Sequence, residues 1–151
     1  MVLDDFKRMF VNHPDKKGGA IDEFLKMFDK DGWSIYFLHY DMYGDEGKVM
    51  YKTQNMLQGF LQRFDKFGKY SFARHCVMGT EEKQEIMGVW MWRGIGIPQE
   101  CLDHPQFEYM QPRQMDILNN AEDLALLRAF WGAEEGDIIM GLPVYQRYWQ
   151  K

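Results

Sequence analysis

Cysteine is scarce in this 151-residue chain. Only Cys76 and Cys101 are present, and no CxxC pair occurs. That excludes a disulfide scaffold and the usual cysteine-rich zinc modules. Free thiols in a reducing compartment are the expectation. Long apolar runs are also missing. No stretch approaches the roughly 20 apolar residues of a membrane-spanning helix, and the opening MVLDDFKRMF has no apolar signal core. The chain therefore reads as soluble and cytoplasmic. Net positive charge is absent too, with 18 Lys and Arg against 23 Asp and Glu. A net charge of −5 argues against non-specific nucleic-acid binding, which needs a basic face to displace counterions from phosphates. The nearest basic patch, Lys66-Phe67-Gly68-Lys69, reads first as a solvated helix end.

Aromatic residues are abundant, with five Trp, eight Tyr and eleven Phe. Hydrophobic residues make up 46% of the chain, enough for one sizeable core. Leu3, Phe6 and Phe10 recur at helical spacing, which predicts a helix over Val2–Phe10. His13 to Gly19 is a loop by its breakers. Ile21, Phe24, Leu25 and Phe28 give a second one-faced helix, ended by Asp29 to Gly32, with Gly32 suited to a left-handed conformation. Trp33 to Tyr40 predicts a strand covered on both faces. Tyr43 to Lys48 reads as a loop and Val49 to Thr53 as a short strand. A helix over Asn55–Phe67 follows, closed by Gly68.

Tyr70–Gly79 and Glu85–Arg93 predict an antiparallel hairpin, because the polar segment between them is too short for a parallel crossover. Residues 95–106 look irregular. Phe107–Met115 holds a possible strand that Pro112 pushes to a sheet edge. Asn119 or Asn120 caps a helix running to Trp131. Ile138–Met140 stays open, and Val144–Trp149 is a candidate last strand. The order implies one α+β domain over 1–151.

Few constellations carry chemistry. Asp29-Lys30-Asp31-Gly32 fails as a calcium loop, since neither possible register supplies both first and twelfth ligands. A helix-ending turn explains it better than a catalytic carboxylate pair. His75 and Cys76 are adjacent on a strand, so their side chains diverge and cannot form a dyad. Cys101 and His104 share a loop, but two ligands do not make a structural zinc site. Gly94-Ile95-Gly96 meets Pro98 instead of opening a helix, against a dinucleotide cradle. Trp90 and Trp92 share one strand face with Ile86 and Gly88. Core is the first reading of that face and a peptide-binding platform the second.

Five segments together resemble the C-terminal conserved domain of elongation factor 1 gamma. They are VLDDFKR (2–8), FDKDGWS (28–34), GFLQRFDK (59–66), Phe72-Ala73 and GVWMWRG (88–94). The likeness runs in order from residue 2 to about 95, then thins, and Glu134–Lys151 departs most. The resemblance implies a curved antiparallel sheet of about five strands flanked by helices. It implies a non-catalytic scaffold role in the elongation factor 1 complex, whose exchange activity reloads the aminoacyl-tRNA carrier with GTP. The implied partners are the other subunits of that complex, held mainly through the N-terminal domain that this chain lacks, with aminoacyl-tRNA synthetases as further candidates. No cofactor, metal or catalytic residue is implied. It also implies that the chain is a fragment lacking an N-terminal glutathione-transferase-like domain. Asp29, Asp31, Trp33 and Arg93 end the two best motifs and are the candidate protein-binding surface, since tryptophan and arginine are frequent anchors. The alternative is a small-molecule-binding or enzymatic domain with a pocket built from His39, His75, Cys76 or the Asp29/Asp31 pair.

Overall fold

The computed structural model describes residues 1–151. The elements are α1 (Leu3–Asn12), α2 (Gly19–Met27), β1 (Trp33–Tyr40), α3 (Met50–Arg63), β2 (Ser71–Thr80), β3 (Lys83–Arg93), α4 (Gln99–Leu102), β4 (Met110–Gln114), α5 (Ala121–Trp131), β5 (Ile138–Ile139) and β6 (Leu142–Gln150). Two 3-10 helices, Asp65–Tyr70 and Pro105–Tyr109, sit between them. The six strands order as β4-β1-β3-β2-β6-β5. Every pairing is antiparallel, and the sheet curls into a half-barrel. This is the α+β fold the sequence implies. Its sixth strand, β5, is a two-residue addition.

Strand periodicity explains why the sheet is covered on both sides. Trp33, Ile35 and Phe37 of β1 point into one core, with Phe6, Phe10 and Phe24 of α1 and α2 and Leu127, Phe130 and Trp131 of α5. Leu38 points the other way, into a second core with Leu57, Phe60 and Leu61 of α3. The two faces of β2 split in the same manner, Phe72 and Cys76 to the first core and Ala73 and Val77 to the second. Trp90 and Trp92 stack at 5.1 Å in the second core and are both fully buried. They serve as core, and a peptide platform on that face is ruled out.

Several local expectations need correction. Val49–Thr53 is not a strand. Val49 is the N-cap of α3, and the Thr53 hydroxyl donates to Gln84 Oε1 at 2.7 Å, with Val49 O 3.2 Å away. The β-branched and aromatic residues there suggest a strand, but a buried side-chain bond to β3 favours the helix. α3 stops at Arg63, and Phe64, Phe67 and Gly68 belong to the turn and 3-10 helix beyond it. Gly32 does not adopt the left-handed conformation. α2 ends instead with Phe28 extended at φ −66° and ψ 128°. Residues 95–106 hold the short helix α4 and the start of a 3-10 helix.

Other expectations hold. β4 is an edge strand, which tolerates Pro112 because no neighbour needs its missing N–H. Asn120 is the N-cap of α5, accepting from the amides of Glu122 at 3.0 Å and Asp123 at 3.2 Å. No helix is long and apolar enough to cross a membrane.

Candidate functional site

The two best sequence motifs meet at one corner of the sheet. Trp33 begins β1 and pairs with Arg93, which ends β3. The turn before Trp33 closes on Asp29, whose carbonyl accepts from Gly32 N at 3.1 Å and Trp33 N at 3.0 Å. The Asp29 carboxylate also accepts from Asp31 N at 3.0 Å. That side-chain turn needs the space beside Gly32, where a Cβ would lie 2.8 Å from Asp29 Oδ2. Close approach, not positive φ, is the reason for glycine here.

Across the corner, Gly94 N donates to Gly32 O at 2.6 Å. The Ser34 hydroxyl donates to Gly94 O at 2.6 Å and accepts from Gly96 N at 2.8 Å. Ser34 therefore fastens the exit of β3 to the entry of β1. The Arg93 guanidinium lies over the Trp33 ring at 5.3 Å, and its Nη2 donates to Lys69 O at 3.5 Å.

The structure thus brings Asp29, Asp31, Trp33 and Arg93 into one neighbourhood. Their exposure differs. Asp29, Asp31 and Arg93 face solvent, while Trp33 is only 4% exposed. Trp33 can present Arg93 but offers little surface of its own. Beside the corner runs a cleft of about 510 Å³, lined by Phe28, Lys30, Trp33, Asp116, Leu118 and Asn119 among others. Nothing local in the sequence marks the Asp116–Asn119 turn as its far wall. Only the pairing of β4 with β1 places it there.

The groups of the alternative pocket do not converge. His75 is fully buried on the α3 side, where its Nδ1 accepts from Trp90 Nε1 at 2.8 Å. Burial pushes its pKa down to about 3, with the charge of His39 adding to the effect. Cys76 points into the opposite core, and burial pushes its thiol up to about 12, against the opposing pull of Arg74 and Arg147. His39 is half-buried and bonds Glu85 Oε2 at 2.9 Å. Asp29 and Asp31 lie at the far corner, off the opposite end of β1 from His39. Cys101 is buried, its thiol raised to about 12 by burial and by Glu100. The His104 Nδ1 accepts from Gln106 N at 3.2 Å. No group of three or more His, Cys, Asp or Glu side chains is arranged to hold a metal ion.

A family model described as "Elongation factor 1 gamma, conserved domain" matches residues 1–96, which include both halves of the corner. The chain belongs to the elongation factor 1 gamma family. A probable elongation factor 1-gamma 2 of Arabidopsis thaliana is 35% identical over 150 residues, covering 97% of this chain and 36% of the relative. Elongation factor 1-gamma of Prunus avium is 41% identical over 108 residues, 68% of this chain and 25% of the relative. Elongation factor 1-gamma of Artemia salina is 39% identical over 107 residues, 71% of this chain and 24% of the relative. The chain spans between a quarter and about a third of the length of these relatives. The elongation factor 1 gamma family model ends near the exit of β3. The Arabidopsis likeness reaches into the tail as well, further than the residue motifs alone indicate.

Proposed function

We propose that this chain is a non-catalytic interaction domain of the gamma subunit of an elongation factor 1 complex. In this reading it supports the assembly whose nucleotide exchange reloads the aminoacyl-tRNA carrier with GTP. The carrying observation is the family match over residues 1–96. The corner architecture supports it, because short hydrogen bonds fix the backbone that carries the three exposed charged residues, a feature suited to recognition. The dispersal of His39, His75 and Cys76 over two faces supports a binding role over a catalytic one.

Asp29, Asp31 and Arg93 are the proposed contact residues, and Trp33 positions Arg93. The partners are the other subunits of the complex, with aminoacyl-tRNA synthetases second. The domain would lie within a longer polypeptide that carries a glutathione-transferase-like domain.

The test is a nucleotide-exchange assay on the isolated chain, paired with co-purification of the full-length subunit. The expected outcome is no exchange by the chain alone, and retention of complex subunits that weakens when Asp29, Asp31 and Arg93 are reversed in charge. Exchange of GTP by the chain on its own would overturn the scaffold reading.

A further inference from the structure

On the opposite edge of the sheet, two arginines share one strand face without a carboxylate partner. Arg74 is on β2 and pairs in register with Trp149 of β6. Arg147, two residues before Trp149, pairs with Cys76. The alternation of strand side chains puts Arg74, Arg147 and Trp149 on the same face. Arg74 is only 7% exposed. Its guanidinium lies flat on the Trp149 ring at 3.6 Å and donates through Nη2 to Ala133 O at 3.2 Å.

Neither arginine has a carboxylate within ion-pair distance. The Nε atoms of both are buried and have no hydrogen-bond partner in the protein. A buried cation with an unused donor is costly, because desolvation is not repaid. Burial and the neighbouring Arg147 outweigh the pull of Cys76 and lower the Arg74 pKa to about 10. Even so, the group stays charged at neutral pH.

These arginines line a cleft of about 380 Å³. Its roof is the α1–α2 loop, which contributes Lys16 and Lys17, and the segment after α5. The lining holds four cations, Lys16, Lys17, Arg74 and Arg147, against two carboxylates, Asp15 and Glu134. Asp15 is already occupied, accepting from the amides of Gly18 and Gly19 at 3.0 Å each. Lys17 pairs with Asp137 at 2.5 Å. Lys16 has no carboxylate partner; its ammonium donates to the carbonyls of Val11 and His13 and lies over the Phe10 ring at 5.8 Å. With Asp137 counted beside Lys17, four cations face three carboxylates, so the cleft is locally positive in a chain of net charge −5.

We propose that this cleft binds a phosphate group, gripped by Arg74 and Arg147 from the sheet and by Lys16 from the loop. The donors approach from the floor and from the roof. That arrangement suits a tetrahedral anion better than a planar carboxylate, which pairs best with a single coplanar fork. A doubly charged phosphate also answers both uncompensated guanidinium groups. Trp149 holds the Arg74 guanidinium in place at the cleft. The site is independent of the corner at Trp33 and Arg93.

The test is an NMR titration of the 151-residue chain with inorganic phosphate at constant ionic strength. The readouts are the arginine Nε–H and tryptophan Nε1–H resonances. Saturable shifts at Arg74, Arg147 and Trp149 are expected, with sulfate behaving alike and acetate failing to saturate. Arg147→Gln should weaken binding by about tenfold or more, as expected for loss of a charge-assisted hydrogen bond. Lys16→Gln, at an exposed loop, gives a second readout that does not depend on the fold tolerating a change at Arg74. A phosphoserine peptide binding tighter than inorganic phosphate would identify a phosphorylated protein as the source. Equal binding would identify a free small phosphate. Acetate binding as well as phosphate, or phosphate shifts unchanged in both variants, would overturn the assignment.

Discussion

His75 and Gly88 stand opposite one another across the β2–β3 ladder, and the imidazole fills the space a side chain on Gly88 would need. A Cβ at Gly88 would lie 2.5 Å from His75 Nδ1 and 2.7 Å from Arg74 O. Both residues are buried, so neither can swing away into solvent. Gly88→Ala should therefore destabilise the fold by about 1–3 kcal/mol, the usual cost of overpacking a tight core. Denaturant unfolding at pH 7 measures it. A variant as stable as the parent would mean that the ladder relaxes freely at this point.

The same imidazole makes stability depend on pH. Trp90 Nε1 can only donate, so His75 Nδ1 must accept and the ring is neutral with its proton on Nε2. Burial holds the folded pKa at about 3, against an ordinary 6.5. Below pH 6.5 the unfolded chain takes up a proton that the folded chain refuses. Stability is therefore lost as pH falls, at about 1.4 kcal/mol per unit, until the folded value is reached. Unfolding free energies of the parent and of His75→Leu, measured between pH 7 and pH 4, should diverge by that slope. Parallel curves would show that His75 takes up its proton as readily in the folded chain as in the unfolded one.

Much of this architecture was legible because local signals and tertiary packing agree. The eight residues of β1 combine aromatic and branched side chains on both faces, and the fold buries both. The β2–β3 hairpin follows from strands too close in sequence for a crossover. Errors arose where a distant partner decided the conformation. Thr53 reads as strand by propensity, but its bond to Gln84 on β3 holds it in a helix. Of the site residues, Trp33 and Arg93 stand out as the ends of two motifs, but only the β1–β3 register sets them opposite one another. Arg74 and Arg147 have no such signal, since only the β2–β6 register brings them together and no local pattern encodes it.

Asp123 ties the start of α5 to the strand beside it. Its Oδ1 accepts from Arg113 Nη1 at 2.9 Å and its Oδ2 from Asp116 N at 2.9 Å. Burial raises its pKa, but the Asp116 amide and the Arg113 guanidinium outweigh it and hold the carboxyl below the ordinary 3.8. The stabilisation is present above that ordinary value and is lost as pH falls through the lower folded one. Asp123→Ala should cost about 1–3 kcal/mol at neutral pH, because it leaves the Asp116 amide without its acceptor. The gap between parent and variant should narrow in urea unfolding below pH 4. A gap that persists unchanged at low pH would assign the effect to packing instead of the carboxylate.

Trp33 and Arg93 make different predictions although they touch. Trp33 is buried among Ile35, Phe37 and the other side chains of the first core, so Trp33→Ala should cost about 3–5 kcal/mol. Arg93 is exposed, its bond to Lys69 O is long at 3.5 Å, and Arg93→Ala should change stability by no more than about 1 kcal/mol. Stability and partner retention are therefore separable at this corner. Thermal unfolding of both variants tests the first half, and co-purification of elongation factor 1 subunits with Arg93→Ala tests the second. If Arg93 contacts a partner, retention drops while the melting temperature barely moves. If retention is unchanged at a native melting temperature, Arg93 makes no contact that matters and the corner serves only to fasten β1 to β3.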